Sequence, residues 1–302
     1  TKLEKKNWLG LGSVQVQPYQ SSLIDLDEPG NEYSVSLTSS LGMNLQQVVA
    51  DLNRYPYGCV EQVSSKTRGL IALSQVRGIT EETTKKIQIG IDNLIAKQKL
   101  SGAFGYWDRN SAVYERFQPY AVDTLQKTLP FANDKEKVKA AIKNGLEYLY
   151  RTSFRDAETK LYSYGLLAKA GYEVTSRARY SIDQELNNDV VQYVMPPKDL
   201  ATYIDDLVLS YWVAANLNDT KRMLQIAETA RFALERRTLD EPIIQFVSGS
   251  WISAQKPQVS ELWNNSSLRY AHLLTDLSSD QLAPVFETII ANTHEYLAQQ
   301  QY

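Results

Sequence analysis

Apolar residues fall into two regimes along this chain. In the first forty positions they alternate with polar ones. Ser13-Val14-Gln15-Val16-Gln17 and Tyr33-Ser34-Val35-Ser36-Leu37-Thr38 have the period of two expected of half-buried strands, and Glu28-Pro29-Gly30-Asn31 reads as a turn between them. After Gly42 the period lengthens to that of a helix, with Leu45, Val48, Val49 and Leu52 on one stripe. The spacing then predicts helices over 43–54, 60–76, 80–98, 117–129, 133–151, 158–170, 199–217, 219–237, 263–277 and 279–300. Asn133, followed by Glu136, is a candidate N-cap; Gly78 and Gly171 are candidate helix stops; Ser279 and Asp280 are placed to cap the last helix. Irregular stretches are expected at 99–116, 186–198 and 238–262.

The fold class is therefore mainly α. Helices in consecutive pairs with short breaks point to a helical solenoid or toroid, although sequence identity between the pairs is too faint to mark a true repeat. Residues 1–40 read as a short β segment that belongs to, or links from, a neighbouring domain, and residues 41–302 as one helical domain.

Composition narrows the function. The chain has 302 residues, 43% of them hydrophobic, which is ample for a sizeable core. Its net charge is −3 and its basic residues are scattered, so no nucleic-acid footprint is expected. The longest uncharged apolar run of the second half, Leu207 to Leu217, is about half of the roughly 20 residues that span a bilayer. The first residue is Thr1 and no signal peptide precedes it, so the chain reads as a piece of something longer. A single cysteine excludes an internal disulfide and a cysteine-rich metal site.

That cysteine is the candidate chemistry. Cys59 stands three residues before Gln62, within Tyr55-Pro56-Tyr57-Gly58-Cys59-Val60-Glu61-Gln62. A thiolate there can attack the glutamine amide, expel ammonia and leave a thioester between Cys59 Sγ and the Gln62 acyl carbon. If 59–62 opens a helix, positions i and i+3 are neighbours, and the helix N-terminus favours the thiolate. Pro56 stiffens the approach. Gly58 is expected to supply backbone angles closed to other residues.

These eight contiguous residues, preceded by Leu52 and Arg54, resemble the thioester motif of the alpha-2-macroglobulin and complement superfamily. The resemblance implies an alpha-alpha toroid of about six helical hairpins, against five pairs among the ten predicted segments. It implies Cys59 and Gln62 as the crosslinked pair, with Glu61 a motif residue that also suits the positive end of a helix. It further implies aromatic shielding of the thioester, for which Tyr55 and Tyr57 are candidates. Gly102-Ala103-Phe104-Gly105-Tyr106-Trp107 resembles the glycine-aromatic segment leading to the loop that faces the thioester, making Phe104, Tyr106, Trp107 and Tyr114 further candidates, with Phe117 next to them. Toroid core is the competing reading for each aromatic, as a small buried hydrophobe is for Cys59 and a solvated helix residue for Gln62.

Relatives that prefer hydroxyl acceptors carry a histidine in that loop. The equivalent position here falls at about Tyr114, and the two histidines are His272 and His294, far along the chain. A tyrosine does not replace imidazole as acyl-transfer nucleophile, so direct attack by amines such as lysine is expected.

The resemblance thus implies a covalent protease-trapping module of a broad-spectrum inhibitor, acting once per molecule and not an enzyme. Its partners would be target proteases, held through lysine, and the other domains of a full-length macroglobulin. The lack of structural cysteines fits a bacterial member, periplasmic and tethered to the inner membrane by a lipidated N-terminus outside this sequence. No cofactor or metal is implied. A complement-like tagging or adhesion module is the alternative, and a toroidal enzyme with an incidental Cys59 the third reading. Gly10-Leu11-Gly12 lacks the rest of a dinucleotide fingerprint, and the two histidines have no metal-site or triad spacing. Asp205-Asp206 resembles a glycosidase pair but fits a solvated helix face better. Asn218-Asp219-Thr220 reads as a glycosylation acceptor or a helix–helix turn.

Overall fold

The computed structural model describes residues 58–186, 197–237 and 270–290. The predicted strands, the 43–54 helix, Tyr55, Tyr57, His294 and residues 263–269 and 291–300 of the last two predicted helices lie outside the described residues. The helices are α1 (Val60–Arg77), α2 (Glu81–Lys97), α3 (Gln118–Thr128), α4 (Lys135–Arg151), α5 (Ala157–Lys169), α6 (Thr175–Leu186), α7 (Pro197–Asn216), α8 (Thr220–Arg237) and the short α9 (Ala271–Leu274), followed by a helical run over 284–290. Among the described residues, β pairing is limited to one antiparallel bridge between Gln98 and Phe104.

Most predicted helices have their expected bounds to within two residues, because their ends are chemically marked. Thr80 caps α2 through Thr83 N–H at 3.1 Å, and Asp156 caps α5 through Thr159 N–H at 2.8 Å. Gly78 and Gly171 take φ of 84° and 81° where α1 and α5 end. Asn218, at φ 54°, turns α7 into α8, as its turn reading requires.

Four expectations need correction. The cap of α4 is Asp134, which accepts Lys137 N–H at 2.9 Å; Asn133 instead donates its own N–H to Gln88. Ser279 and Asp280 lie in a turn, and the helical run starts at 284. Helix α6 was not predicted, although Val174, Ala178 and Ile182 form a buried i, i+4, i+8 row. Asp205 is not on a solvated face: it is buried and accepts Tyr270 N–H at 3.1 Å, joining α7 to the start of α9.

Sequential helices pack as pairs, α1 with α2, α3 with α4, α5 with α6 and α7 with α8. The odd-numbered helices also pack in a row, α1 on α3, α3 on α5 and α5 on α7. Burial follows this division. Most of α3 and α5 is buried, whereas α2 and α4 bury only one stripe, such as Ile87, Ile91 and Leu94 of α2. Stacked αα-hairpins have this two-layer geometry, one layer of inner helices and one of outer.

A buried polar cluster ties the inner layer together. Arg68 of α1 pairs with Asp123 of α3 at 2.9 Å, and Tyr162 of α5 donates its hydroxyl to the same carboxylate at 2.7 Å. Arg68 also lies 4.7 Å from the centre of the Tyr120 ring. Burial by itself pushes the Asp123 carboxyl up, but Arg68, Lys127 and the Tyr162 hydroxyl outweigh it and hold the group below its ordinary range.

Candidate functional site

Cys59 is the N-cap of α1. Its backbone is extended, at φ −67° and ψ 164°, and its sulfur accepts Gln62 N–H at 3.5 Å. Gln62 replies: its side-chain oxygen accepts Cys59 N–H at 3.3 Å. The pair forms a reciprocal capping box of the kind Ser and Glu make elsewhere, and it holds the sulfur and the glutamine side chain over the same first turn. The bond to sulfur is long, as a weak sulfur acceptor gives, and the bond to the amide oxygen lies just beyond the usual N–H···O range. The Cys59 N–H that meets the amide oxygen is also a donor aimed at the carbonyl of any acyl derivative of Gln62.

Cys59 is 0% exposed, whereas Gly58 beside it is open. The expected need for special angles at Gly58 is not met: its φ is not in the left-handed region and an added Cβ would meet nothing within 4 Å. Glu61 accepts the Ser65 hydroxyl at 2.9 Å, and Ser65 in turn meets the Tyr120 hydroxyl at 3.1 Å. The first turn is thereby linked to the Tyr120 ring that lies under Arg68.

The segment between α2 and α3 folds back over this helix end. Tyr106 C=O accepts Val60 N–H at 2.8 Å, one of the donors a helix start leaves without an internal partner. Interaction with the Cys59 side chain first, then burial and the charges of Cys59, Glu61 and Tyr114, raises the Tyr106 pKa above that of an ordinary phenol. Its ring stacks 5.7 Å from Phe117 and meets Trp107 and Tyr114 edge-on at 5.0 and 4.7 Å. Phe104 is core, while Trp107 and Tyr114 are each 52% exposed. Of the described aromatic candidates, Tyr106 is thus the one whose backbone is bonded to the start of α1 next to Cys59, and Trp107 and Tyr114 flank it.

The loop owes its shape to residues that motif reading passed over. Buried Gln118, at the start of α3, accepts Phe104 N–H at 2.7 Å and donates to the carbonyls of Phe104 and Tyr114 at 3.0 and 3.1 Å, closing the loop at both ends. Asp108 and Ser111 make its tip, with Ser111 N–H on the Asp108 carboxylate at 2.9 Å and Trp107 N–H on the Ser111 hydroxyl at 2.9 Å. A Cβ at Gly105 would sit 1.9 Å from the Asp108 carbonyl oxygen, so no larger residue fits. Lys97, the last residue of α2, is buried; it accepts Gly105 N–H at 3.0 Å and its ammonium donates to the Trp107 carbonyl. Burial lowers its pKa, and charge on Cys59 and Asp108 opposes that. A lysine at the end of an amphipathic helix reads as a dipole partner, so nothing local signalled its burial.

His272 lies in α9, far along the chain from Cys59. Among the described residues there is no cluster of metal-ligand side chains, and no helix is long and apolar enough to cross a membrane.

No protein-family model matches the chain. Among curated proteins it is similar to alpha-2-macroglobulin of Escherichia coli (strain K12), 30% identical over 127 residues, a match covering 36% of this chain and 8% of that protein. Among solved structures it is similar to Salmonella alpha-2-macroglobulin reacted with methylamine, with TM-score 0.55 and 22% identity over 87% of this chain and 16% of that one. Trypsin-activated alpha-2-macroglobulin from Escherichia coli gives TM-score 0.52 and 18% identity, covering 81% of this chain and 16% of that one. The chain therefore matches only a small part of the length of each relative. The sequence likeness is thus to a part of alpha-2-macroglobulin, and the structural likeness is one of fold.

Proposed function

We propose that this domain is the covalent trapping module of a protease inhibitor, and that its reactive group is a thioester between Cys59 Sγ and the Gln62 acyl carbon. The observation that carries the proposal is the reciprocal pairing of Cys59 and Gln62, with the sulfur buried, at the first turn of α1. An internal acyl donor needs its two groups held together, water kept out and the carbonyl polarised. The capping box supports the first, Tyr106 and its aromatic neighbours the second, and Cys59 N–H the third.

The reaction follows from the chemistry of the pair. A lysine amine of a protease attacks the Gln62 carbonyl carbon, the carbon–sulfur bond breaks, and an isopeptide bond and a free Cys59 thiol remain. Each molecule reacts once. The 99–117 loop holds no histidine, so transfer depends on the acceptor's own nucleophilicity, which favours amines over hydroxyls. A Salmonella relative solved after reaction with methylamine is in keeping with this preference. The proposal extends to a bacterial periplasmic setting, with the remaining domains of a macroglobulin as neighbours.

Intact mass tests the reading. Freshly prepared protein should weigh one ammonia less than its sequence. Methylamine should add its whole mass at Gln62, leaving the protein one methylene heavier than its sequence, and release one alkylatable thiol. An unmodified Gln62 together with a freely alkylated Cys59 in mild buffer would refute the thioester.

A further inference from the structure

Helix α3 begins at Gln118, which clasps the loop near Cys59, and its other end carries Lys127, about 14 Å along the axis. Around that far end an open pocket of about 690 Å³ lies between α3, α4 and the end of α5, and four lysines line it: Lys127, Lys139, Lys143 and Lys169. Its volume is that of a small-molecule site. The charge is local, because the chain as a whole carries a net −3. Lys127 meets both oxygens of Asp276 at 2.9 and 3.0 Å, and Lys169 approaches the same carboxylate at 3.5 Å. Lys139 pairs with Glu136 of its own helix at 2.7 Å, whereas Lys143 has no ion-pair partner among the described residues. The other acid lining the pocket, Asp123, is taken up by Arg68 and Tyr162. Positive charge is therefore in excess there. A second, independent feature points the same way. The side-chain oxygen of Gln126, which lines the pocket, is buried and has no hydrogen-bond partner among the described residues. Buried acceptors are rarely left in that state, and a hydroxyl of a bound molecule would satisfy this one.

We propose that this pocket binds a small polyanion, a molecule with at least two carboxylate or phosphate groups and a hydroxyl. Asp276 shows the contact on which the proposal is built: one carboxylate of the chain already sits between Lys127 and Lys169. Lys139 and Lys143, one turn apart on α4, are left to take further negative groups. Asp276 is then an internal competitor, since a ligand must share Lys127 and Lys169 with it. The Gln126 oxygen adds selection for a hydroxyl, because a ligand without one leaves that acceptor unpaired. Binding is noncovalent and lies away from the reactive turn, so the site stands whether or not Cys59 and Gln62 form a thioester.

Calorimetric titration at about 0.1 M ionic strength tests this with three probes: citrate, tricarballylate (citrate without its hydroxyl) and pyrophosphate. One-to-one binding of citrate or pyrophosphate is expected, and the tighter of the two identifies the anion as carboxylate or phosphate. Lys143→Met should weaken that binding about tenfold. Asp276→Asn should strengthen it about threefold or more, by freeing two ammonium groups. Lys85→Met and Glu81→Gln make the same changes of net charge at an exposed pair on α2, and should leave the affinity within about twofold. Citrate should bind more tightly than tricarballylate, and Gln126→Leu should remove the difference. No saturable heat with either citrate or pyrophosphate up to about 10 mM would overturn the site. Equal effects of the pocket and α2 substitutions would overturn it too, by reducing the binding to overall charge. Equal affinity for citrate and tricarballylate in the unsubstituted protein would refute the hydroxyl and the role of Gln126.

Discussion

Two polar constellations lie on helix α1, about two and a half turns apart. At the first turn, Cys59 and Gln62 hold one another through bonds of 3.3 and 3.5 Å that are local in sequence. Further along, Arg68 pairs with Asp123 at 2.9 Å and Tyr162 donates to the same carboxylate at 2.7 Å, which gathers α1, α3 and α5 around it. The first constellation is shielded by a loop and edged by half-exposed aromatics. The second is sealed by Tyr120, and by Tyr162, which itself packs against Trp212 at 5.8 Å. The proposed thioester gives the difference a reason: an acyl group that has to react keeps few bonds of its own, under a loop. The base that aims it must not shift, so it is built from charged, buried, long-range pairs.

Breaking the base should cost most. Asp123→Ala leaves Arg68 buried without its carboxylate and should destabilise the protein by about 3–5 kcal/mol in urea unfolding. The double variant Arg68→Met, Asp123→Leu should recover much of that loss. The same group sets an acid limit. Its folded pKa lies below the unfolded value of about 3.9, so its contribution is complete above that pH and is lost as pH falls through the lower folded value. The double variant should show a flatter stability curve below about pH 4. A loss under about 1 kcal/mol for Asp123→Ala would mean that the cluster is not the anchor of α1.

Gly165→Ala probes the packing of the same base without touching charge. Its Cβ would fall 1.9 Å from a Trp212 ring carbon, and overpacking of this kind costs about 1–3 kcal/mol. A neutral result would show that the Trp212 face is looser than its full burial implies.

At the reactive turn, the same kind of change should be felt in chemistry rather than in stability. Cys59→Ala should abolish methylamine incorporation and cost about 1 kcal/mol or less, the low side of point-mutant effects. Global unfolding by circular dichroism would instead make the ring a structural staple and erase the contrast between the two regions. Tyr114→Ala should leave stability within about 0.5 kcal/mol and speed loss of the thioester in buffer a few-fold, because this half-exposed ring covers Tyr106. Unchanged hydrolysis would assign the shielding to Tyr106 and Trp107.

Sequence alone carried the local facts of this protein. The helix periods and the caps at Thr80 and Asp156 are encoded within a turn or two of the residues that show them, and so is the three-residue spacing that lets Cys59 and Gln62 share one helix end. Helix α6 was legible too, through its Val174, Ala178 and Ile182 row, but its polar outer face hid it. Tertiary structure decided the rest, because the decisive partners are far apart in the chain. Asp123 meets a residue 39 positions later in Tyr162, and Asp205 meets Tyr270 65 positions on. Lys97 looked like an ordinary helix-end lysine until the 99–117 loop closed over it, and Gln118 like a solvated one until it clasped that loop. Burial and charge pairing are properties of the assembled chain: periodicity tells which face turns inward, and only packing tells which polar group goes in with it and what it meets there.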